Sequence, residues 1–284
     1  MNPIGANTWI WVSPPTDDHL AELVPRIAAW GFDVVEIPVE HPGQWEPART
    51  AELLAGHGLG ATVCAVMTDD RDLTVDDAEV VARTQDYLRT CIDVAVEVGS
   101  RVVGGPMYAP VGRTWRLSPQ GREQLLTTLA GALRPVADYA ADASVRLGVE
   151  PLNRFETSVI NTTAQGLDLI GRVGSSACGL LLDTFHMNIE ERDVASAIRA
   201  AGPHMAHLQV CANDRGAPGA DHLDWPGIAA AIAAIGYGGP VCIESFTADN
   251  ETIATAAAIW RPLAASQDDL ATEGLAFLHQ ALRA

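Results

Sequence analysis

The sequence predicts an α/β protein whose single domain, residues 1–284, is a (β/α)8 or TIM barrel. Short apolar runs alternate along the chain with longer segments of helical periodicity, which is typical of parallel strands joined by crossover helices. Four runs close on an oxygen-bearing side chain, and these side chains are spaced by 33, 26 and 35 residues: Glu150, Asp183, Gln209 and Glu244. A barrel of about 250 residues gives roughly 31 residues per strand and helix, so the spacings fit four consecutive units.

Eight apolar runs are predicted to be the barrel strands. The run at residues 34–38, Val-Val-Glu-Ile-Pro, is nearly continuous instead of alternating, as expected of a parallel strand buried on both faces. The predicted strands are residues 7–11, 34–38, 61–67, 101–106, 146–150, 178–183, 205–209 and 241–244.

Capping residues mark several of the predicted helices. Thr16 and two aspartates precede an apolar-periodic segment that runs to Trp30, and Gly31 follows as a C-terminal stop. Another helix is predicted over residues 76–98, and a last one over residues 267–282. Further glycine stops are predicted at Gly58, Gly99, Gly148, Gly174 and Gly236.

Composition narrows the classes of function. With 18 basic and 36 acidic residues the formal charge is −18, which argues against a nucleic acid partner, because that affinity depends on Lys and Arg displacing counterions. No apolar run is long enough to cross a bilayer, so we predict a soluble, cytoplasmic protein with no membrane partner. Five cysteines in apolar contexts, with no Cys-x-x-Cys pair, predict reduced core thiols.

The four strand-end oxygens predict a metal centre. The carboxyl ends of barrel strands form the active-site face, so Glu150, Asp183, Gln209 and Glu244 should converge there. Three carboxylates in a partly dry pocket raise one another's pKa values unless a cation neutralises them. A set of oxygen ligands favours Mg2+, Mn2+ and similar hard ions. His207 points to the same side of its strand as Gln209, and is either a hydrogen-bonded core histidine or the ligand in its place.

Polar side chains on the following loops are suited to binding a polyol. Glu156 ends the loop after Glu150, His186 follows Asp183, and Arg215 lies on a glycine-rich loop that lets the backbone approach a ligand. The long loop at residues 104–115 is predicted to shape one wall of the pocket. The side chains assigned to the walls are Trp11, Cys64, Met67, Tyr108 and Trp115, of which Cys64 and Trp115 are predicted to bind substrate.

These residues together resemble the D-tagatose 3-epimerase and D-allulose (psicose) 3-epimerase family, within the xylose-isomerase-like sugar-epimerising barrels. The resemblance runs nearly end to end, and its specific motifs are Val149-Glu150-Pro-Leu-Asn153-Arg154 and Leu182-Asp183-Thr-Phe-His186-Met-Asn188. Weaker matches occur at Gly5-Ala-Asn7-Thr, Gly31-Phe-Asp-Val-Val-Glu36, Asn213-Asp214-Arg215-Gly216 and Ile243-Glu244-Ser-Phe246.

The resemblance implies an activity and a set of roles. Glu150 and Glu244 would be the two catalytic glutamates and also metal ligands, with Asp183 as a third ligand. Glu156, His186 and Arg215 would contact the sugar. The metal is expected to be Mn2+, with Mg2+ or Co2+ as alternatives, and the protein is expected to be a homodimer or homotetramer. The family usually has histidine as the ligand on strand seven, where this chain has Gln209.

The implied reaction is epimerisation of a free ketose at carbon 3. The metal acidifies the hydrogen on carbon 3 by stabilising an ene-diolate, one glutamate removes that hydrogen, and the other returns a proton on the opposite face. The same site also allows an aldose-ketose isomerase or a keto-sugar lyase. A DNA-repair endonuclease would need a His-rich zinc cluster and a basic face, and the sequence shows neither. A non-catalytic sugar-binding barrel is the remaining alternative. The acidic loop at residues 246–251 disfavours a phosphorylated sugar.

Overall fold

The computed structural model describes residues 2–282 and confirms the predicted (β/α)8 barrel. Eight parallel strands follow one another in chain order around the barrel, and the last strand closes against the first. They are β1 (Ile4–Asn7), β2 (Val34–Val39), β3 (Gly60–Ala65), β4 (Val102–Gly105), β5 (Arg146–Val149), β6 (Cys178–Asp183), β7 (Met205–Val210) and β8 (Val241–Ile243). This topology places the carboxyl ends of all eight strands at one face of the barrel.

Helices surround the barrel. The described residues form α1 (Asp17–Trp30), α2 (Pro47–His57), α3 (Ala78–Glu97), α4 (Pro119–Asp142), α5 (Thr163–Val173), α6 (Thr184–Glu190), α7 (Val194–Ala201), α8 (Trp225–Ala234), α9 (Glu251–Ala256) and α10 (Gln267–Ala281). Within residues 2–282, none of them has the length and apolar character that crossing a membrane requires.

The helix α1 shows how the sequence pattern becomes packing. The Thr16 side chain accepts a hydrogen bond from His19 N and caps the helix, and Gly31 ends it in the left-handed conformation. Its buried residues fall on one face with helical spacing, namely Leu20, Leu23, Val24 and Ile27. This apolar face packs on the barrel.

The first strand lies earlier than predicted. The sequence predicts it at residues 7–11, but β1 ends at Asn7, and Thr8–Ile10 form a 3-10 turn. The Asn7 side chain accepts a hydrogen bond from Trp9 N at 2.9 Å, which caps this turn and ends the strand. The apolar run therefore continues past the strand into the turn.

Glycine positions divide between helix ends and the barrel interior. Glycine stops lie one or two residues beyond a helix end, at Gly31, Gly58, Gly99, Gly174 and Gly236. The stop predicted at Gly148 is wrong, because this residue lies inside β5 beside Gly104 of β4. A side chain at Gly148 would meet Leu181 Cβ at 3.2 Å, so the glycine makes room for Leu181 within the barrel. The five cysteines are buried and unpaired: Cys64, Cys91, Cys178, Cys211 and Cys242.

Candidate active site

Three carboxyl groups and one amide meet at the carboxyl ends of β5 to β8. Asp183 is the last residue of β6 and Gln209 lies in β7, while Glu150 and Glu244 directly follow β5 and β8. Each of the four is at most 5% exposed. Glu150 N donates to a carbonyl of β4 at 3.1 Å and Glu244 N to one of β7 at 3.0 Å, so the backbone holds both glutamates beside the neighbouring strand. The structure thus brings together the four side chains that the strand-end pattern singled out.

A cavity of about 260 Å³ opens above these strand ends. Its polar lining consists of Glu150, Glu156, His186, Arg215 and Glu244. Much of the remaining lining is apolar and includes Trp9, Met67, Val111, Leu152, Phe246 and Ile253. The polar groups of the cavity therefore belong to the ends of β5, β6 and β8 and the loop after β7, so a ligand would be anchored there and covered by apolar side chains elsewhere.

Arg215 lies within the carboxyl cluster. Its Nη1 donates to Glu244 Oε2 at 2.9 Å and to Asp183 Oδ2 at 2.5 Å. The guanidinium also lies 4.2 Å from the Phe185 ring centre and 4.8 Å from that of Phe246, which are cation–π contacts. The residue is 5% exposed and adopts a left-handed φ of +71°. The loop after β7 therefore delivers one buried positive charge to the site.

The carboxyl groups resist ionisation in the absence of further cations. Burial raises the pKa of Glu150 well above its usual range, and the charges of Glu244 and Asp183 raise it further. Burial also raises the pKa of Glu244 and that of Asp183, although the Arg215 charge opposes both shifts. Because these three acids share the Arg215 guanidinium, the cluster would ionise more fully with a second cation.

His186 is oriented by Asn153. The Asn153 backbone N–H donates to His186 Nδ1 at 3.1 Å, so Nδ1 carries the lone pair and the ring hydrogen lies on Nε2. Burial lowers the pKa of His186 well below its usual range, so the ring is neutral. His186 Nε2 lies 3.4 Å from Glu150 Oε1 and 3.2 Å from Arg215 Nη2. A ligating nitrogen must be unprotonated, so this tautomer suits donation to a sugar oxygen better than metal coordination.

Gln209 connects the site to a buried acid below it. Its Nε2 donates to Glu244 Oε1 at 2.8 Å and to Glu36 Oε1 at 3.0 Å. The structure places His207 against the same acid, with Nε2 2.6 Å from Glu36 Oε2, so His207 is the hydrogen-bonded core histidine of the two alternatives. Glu36 and His207 also form a ligand-type group with Cys242, but the hydrogen bond between them already uses their facing atoms.

The residues at the strand ends fit a divalent cation. Carboxylate oxygens of Glu150 and Asp183, both among the predicted ligands, lie within 4.8 Å of each other. The carbonyl oxygen of Gln209 is buried and receives no hydrogen bond, as expected of an oxygen that coordinates a cation. With the carboxylates, this oxygen forms a donor set of the kind that hard divalent ions prefer.

Several wall assignments need correction. Cys64 lies beneath the cavity instead of in its lining, 3.5 Å from Gln209 Nε2. Trp115 is outside the lining and packs against Arg113, whose guanidinium carbon is 4.8 Å from the ring centre. Trp11 and Tyr108 also lie outside the lining, whereas Met67 belongs to it. Pro106 and Val111 show that the loop at residues 104–115 does form part of the wall, through its aliphatic residues.

Sequence reasoning missed three residues that shape the site. Trp9 lines the cavity from the turn after β1, and its Nε1 donates to Glu40 at 2.8 Å. Asn153 orients His186 and also donates from Nδ2 to Glu156 Oε1 at 2.7 Å. The third is the buried acid Glu36. Its position inside a continuous apolar run could have identified it, because a carboxylate buried there needs polar partners.

Comparison with known proteins identifies the family of this barrel. Residues 24–280 match the family described as Xylose isomerase-like TIM barrel. A relative from Synechocystis sp., named as a probable ketose 3-epimerase, is 35% identical over 97% of this chain and 95% of its own length. The structure of an L-ribulose 3-epimerase aligns with a TM-score of 0.93 at 33% identity, over 100% of this chain and 95% of the other. The structure of D-allulose 3-epimerase from Methylomonas sp. in complex with D-allulose aligns with a TM-score of 0.90 at 30% identity, over 99% of this chain and 97% of the other.

Proposed function

The chain belongs to the xylose isomerase-like TIM barrel family, among its ketose 3-epimerases, and we propose that it inverts a free ketose at carbon 3. It is accordingly an enzyme of the isomerase class. The observation that carries the proposal is the presence of two buried glutamates, Glu150 and Glu244, in the lining of one cavity. Inversion needs a group that removes a proton and a second group that returns one, and carboxylates are suited to both tasks.

The barrel topology supports placing the two glutamates on different sides of a sugar. Glu150 follows β5 and Glu244 follows β8, and two strands, β6 and β7, separate these positions around the mouth. Side chains that start from separated strand ends can approach a bound molecule from different directions. A planar intermediate held between them can therefore lose a proton to one and receive a proton from the other on the opposite face.

Proton transfer follows from the state of these two carboxyl groups. One glutamate, as the carboxylate, removes the hydrogen from carbon 3, and the other, in the acid form, donates a proton to the opposite face of the ene-diolate. The two glutamates line the same cavity, which supports this scheme because both can reach a bound sugar. In the reverse direction the two groups exchange roles.

We assign the metal site to Glu150, Asp183, Gln209 and Glu244, and expect Mn2+, with Mg2+ or Co2+ as alternatives. When bound, the ion supplies Lewis-acid chemistry by drawing charge from the sugar oxygens beside the reacting carbon. The support is the set of ligand atoms, which combines three carboxyl groups with the carbonyl oxygen of Gln209. This oxygen is buried and accepts no hydrogen bond.

Three further residues would hold the sugar. Glu156, His186 and Arg215 line the same cavity, and would accept from or donate to hydroxyl and carbonyl oxygens. A free ketose fits better than a phosphate ester, because the guanidinium of Arg215 is already bound by two carboxyl groups. The wall formed by Ile253 and its neighbours is apolar and offers no charge to a phosphate.

The test is a product analysis in D2O. The protein, stripped of metal and reloaded with Mn2+, is incubated with a panel of free ketoses, and products and deuterium positions are followed by NMR. The proposal predicts metal-dependent formation of the 3-epimer with deuterium at carbon 3. Deuterium at a neighbouring carbon with an aldose product would instead establish an isomerase, and loss of a substituent a lyase.

We also propose a cytoplasmic enzyme that is a homodimer or homotetramer. The buried, unpaired cysteines suit a reducing compartment. Two large apolar side chains, Phe155 at 73% and Trp260 at 75%, are exposed on the monomer surface, as expected of residues that a second copy covers. Light scattering on the purified protein distinguishes a monomer from these assemblies.

A further inference from the structure

The acid beneath the site, Glu36, lies in the middle of β2 and is fully buried. Its two oxygens have different partners. Asn7 Nδ2 lies 3.3 Å and Gln209 Nε2 3.0 Å from Oε1, whereas His207 Nε2 lies 2.6 Å and Thr62 Oγ1 3.2 Å from Oε2. Asn7 Nδ2, Gln209 Nε2 and Thr62 Oγ1 donate to Glu36, so both of its oxygens act as acceptors. The carboxylate is therefore a fixed acceptor below the active site.

The amide of Gln209 has one chemically permitted orientation. Its nitrogen faces Glu36 Oε1 at 3.0 Å and Glu244 Oε1 at 2.8 Å, so each of its two hydrogens has a carboxylate acceptor. Rotation of the amide by a half turn would place its oxygen against the Glu36 carboxylate, which repels it. The amide oxygen is thereby directed away from both acids, and it is buried with no donor of its own.

We propose that Glu36 is a positioning residue, which orients the Gln209 amide so that its oxygen, and not its nitrogen, is available to the metal. This inference rests on the proposed function, because it concerns the metal site assigned there. An amide has two ends of nearly equal size, and only the oxygen coordinates a cation. Glu244 is itself assigned to the metal, so Glu36 is the acceptor below the site that can hold the amide from behind.

The arrangement has a consequence for metal preference. A carbonyl oxygen is a harder ligand than an imidazole nitrogen, so a correctly oriented Gln209 favours Mn2+ or Mg2+ over Zn2+. If the amide were free to rotate, its NH2 group would face the cation and repel it. Glu36 therefore contributes to affinity without contacting the ion, as residues behind metal ligands commonly do.

The experiment measures Mn2+ affinity of the full chain by the EPR signal of free Mn2+. Glu36→Met removes both acceptor oxygens, and we expect a loss of affinity of about 10- to 100-fold, typical for residues that orient a ligand. Thr62→Val is the matched control, because it removes a hydrogen bond to the same carboxylate but on Oε2, away from Gln209. It should stay within about threefold of the wild type, about the effect of one neutral hydrogen bond, because the bond from Gln209 to Glu36 Oε1 is unchanged.

A double-mutant cycle separates orientation from general damage. In a Gln209→Met background there is no amide to orient, so Glu36→Met should produce no further loss of affinity. An equal loss in both backgrounds, or a loss for Thr62→Val as large as for Glu36→Met, would overturn the inference while leaving the proposed function intact. If Glu36→Met does not fold, Glu36→Met combined with His207→Leu replaces it in the same cycle, because this pair also lacks the acceptor and leaves no buried histidine unpaired. Absence of Mn2+ binding by the wild type would refute the metal site itself.

Discussion

Three buried carboxyl groups, of Glu150, Asp183 and Glu244, share the guanidinium of Arg215. The two ion pairs of Arg215 involve Asp183 and Glu244, and Glu150 is left with the raised pKa that burial and its acidic neighbours cause. Such a cluster is destabilising for a protein that does no more than fold, because each buried acid costs desolvation energy. The cluster is expected of a site that, as proposed, binds a cation and transfers protons.

The state of His186 leads to a first prediction. Because Nδ1 accepts the Asn153 N–H, Nε2 is left with the ring hydrogen, and its proposed role is to donate to the sugar. His186→Ala should therefore raise KM for the ketose by about tenfold, the cost of one lost hydrogen bond, with little change in Mn2+ affinity. Steady-state kinetics and Mn2+ titration measure the two effects separately. Asp183→Asn is the comparison, and a loss of Mn2+ affinity in His186→Ala as large as in Asp183→Asn would show that His186 is a ligand.

Among the strands, β4 supports the site through its last residue. Gly105 has a φ of +134°, and its carbonyl accepts from Glu150 N at 3.1 Å. A Cβ on Gly105 would lie 2.5 Å from the Ala65 carbonyl oxygen of β3. The glycine thus allows β3 and β4 to approach closely at the point where Glu150 is fixed.

The second prediction concerns this position. Gly105→Ala should lower the free energy of unfolding by about 1–3 kcal/mol through backbone strain, and by more if the strands are forced apart. It should also lower kcat, since Glu150 is bonded to the same peptide unit. Gly99→Ala is the control, because Gly99 also has a positive φ, +76°, but a methyl group at this position would meet no atom within 4 Å. Denaturant unfolding that gives equal losses for the two variants would contradict the argument from close approach.

Strand ends and helix ends can be predicted from the sequence where neighbouring residues alone determine them. Apolar runs that stop on a polar residue are local, so the strand ends at Glu150, Asp183, Gln209 and Glu244 were predictable. The end of β1 was not, because it depends on Asn7 capping a turn instead of continuing the strand. The stop predicted at Gly148 failed for a tertiary reason, since this glycine accommodates a side chain from the next strand.

The residues of the cavity walls could not be predicted from neighbouring residues in the sequence. They are assembled from loops after different strands, so that Trp9 and Phe246, far apart in the sequence, have ring centres 6.3 Å apart in the structure. Trp115 and Cys64 were reasonable choices by residue type and loop position. Only the three-dimensional arrangement shows that one lies outside the cavity and the other beneath it.

The whole molecule combines a formal charge of −18 with a buried acidic cluster. In the metal-free protein, the raised pKa values of Glu150, Asp183 and Glu244 mean that the folded state holds more protons than the unfolded chain. Stability from these groups is complete below the unfolded pKa values, near 4, and is lost as the pH rises through the folded ones. A bound cation offsets the loss, because it favours the ionised carboxylates.

The third prediction follows for thermal unfolding. The Tm of the metal-free protein should fall as the pH rises from 5.5 to 8, and the fall should be shallower in Glu150→Gln, which lacks one titrating group. Saturation with Mn2+ at one hundred times its Kd should add about 2.7 kcal/mol of stability. At one fixed Mn2+ concentration the gain in stability should be larger at pH 8 than at pH 5.5, because fewer protons compete for the carboxylates and the Kd for Mn2+ is lower. Calorimetry with and without Mn2+ at both pH values is the measurement, and a larger Mn2+ effect at pH 5.5 would contradict the prediction.

We propose that Glu150 and Glu244 act on opposite faces of the sugar, and proton exchange by single variants tests this arrangement. Glu150→Gln and Glu244→Gln, each saturated with Mn2+, are incubated in D2O with each member of a pair of 3-epimers. Neither variant should interconvert the epimers, with a rate loss of about 10²- to 10⁴-fold. Each should still exchange the carbon-3 hydrogen of one epimer, and the two variants should prefer opposite epimers. Exchange of both epimers by one variant, or preference of both variants for the same epimer, would contradict the two-face account.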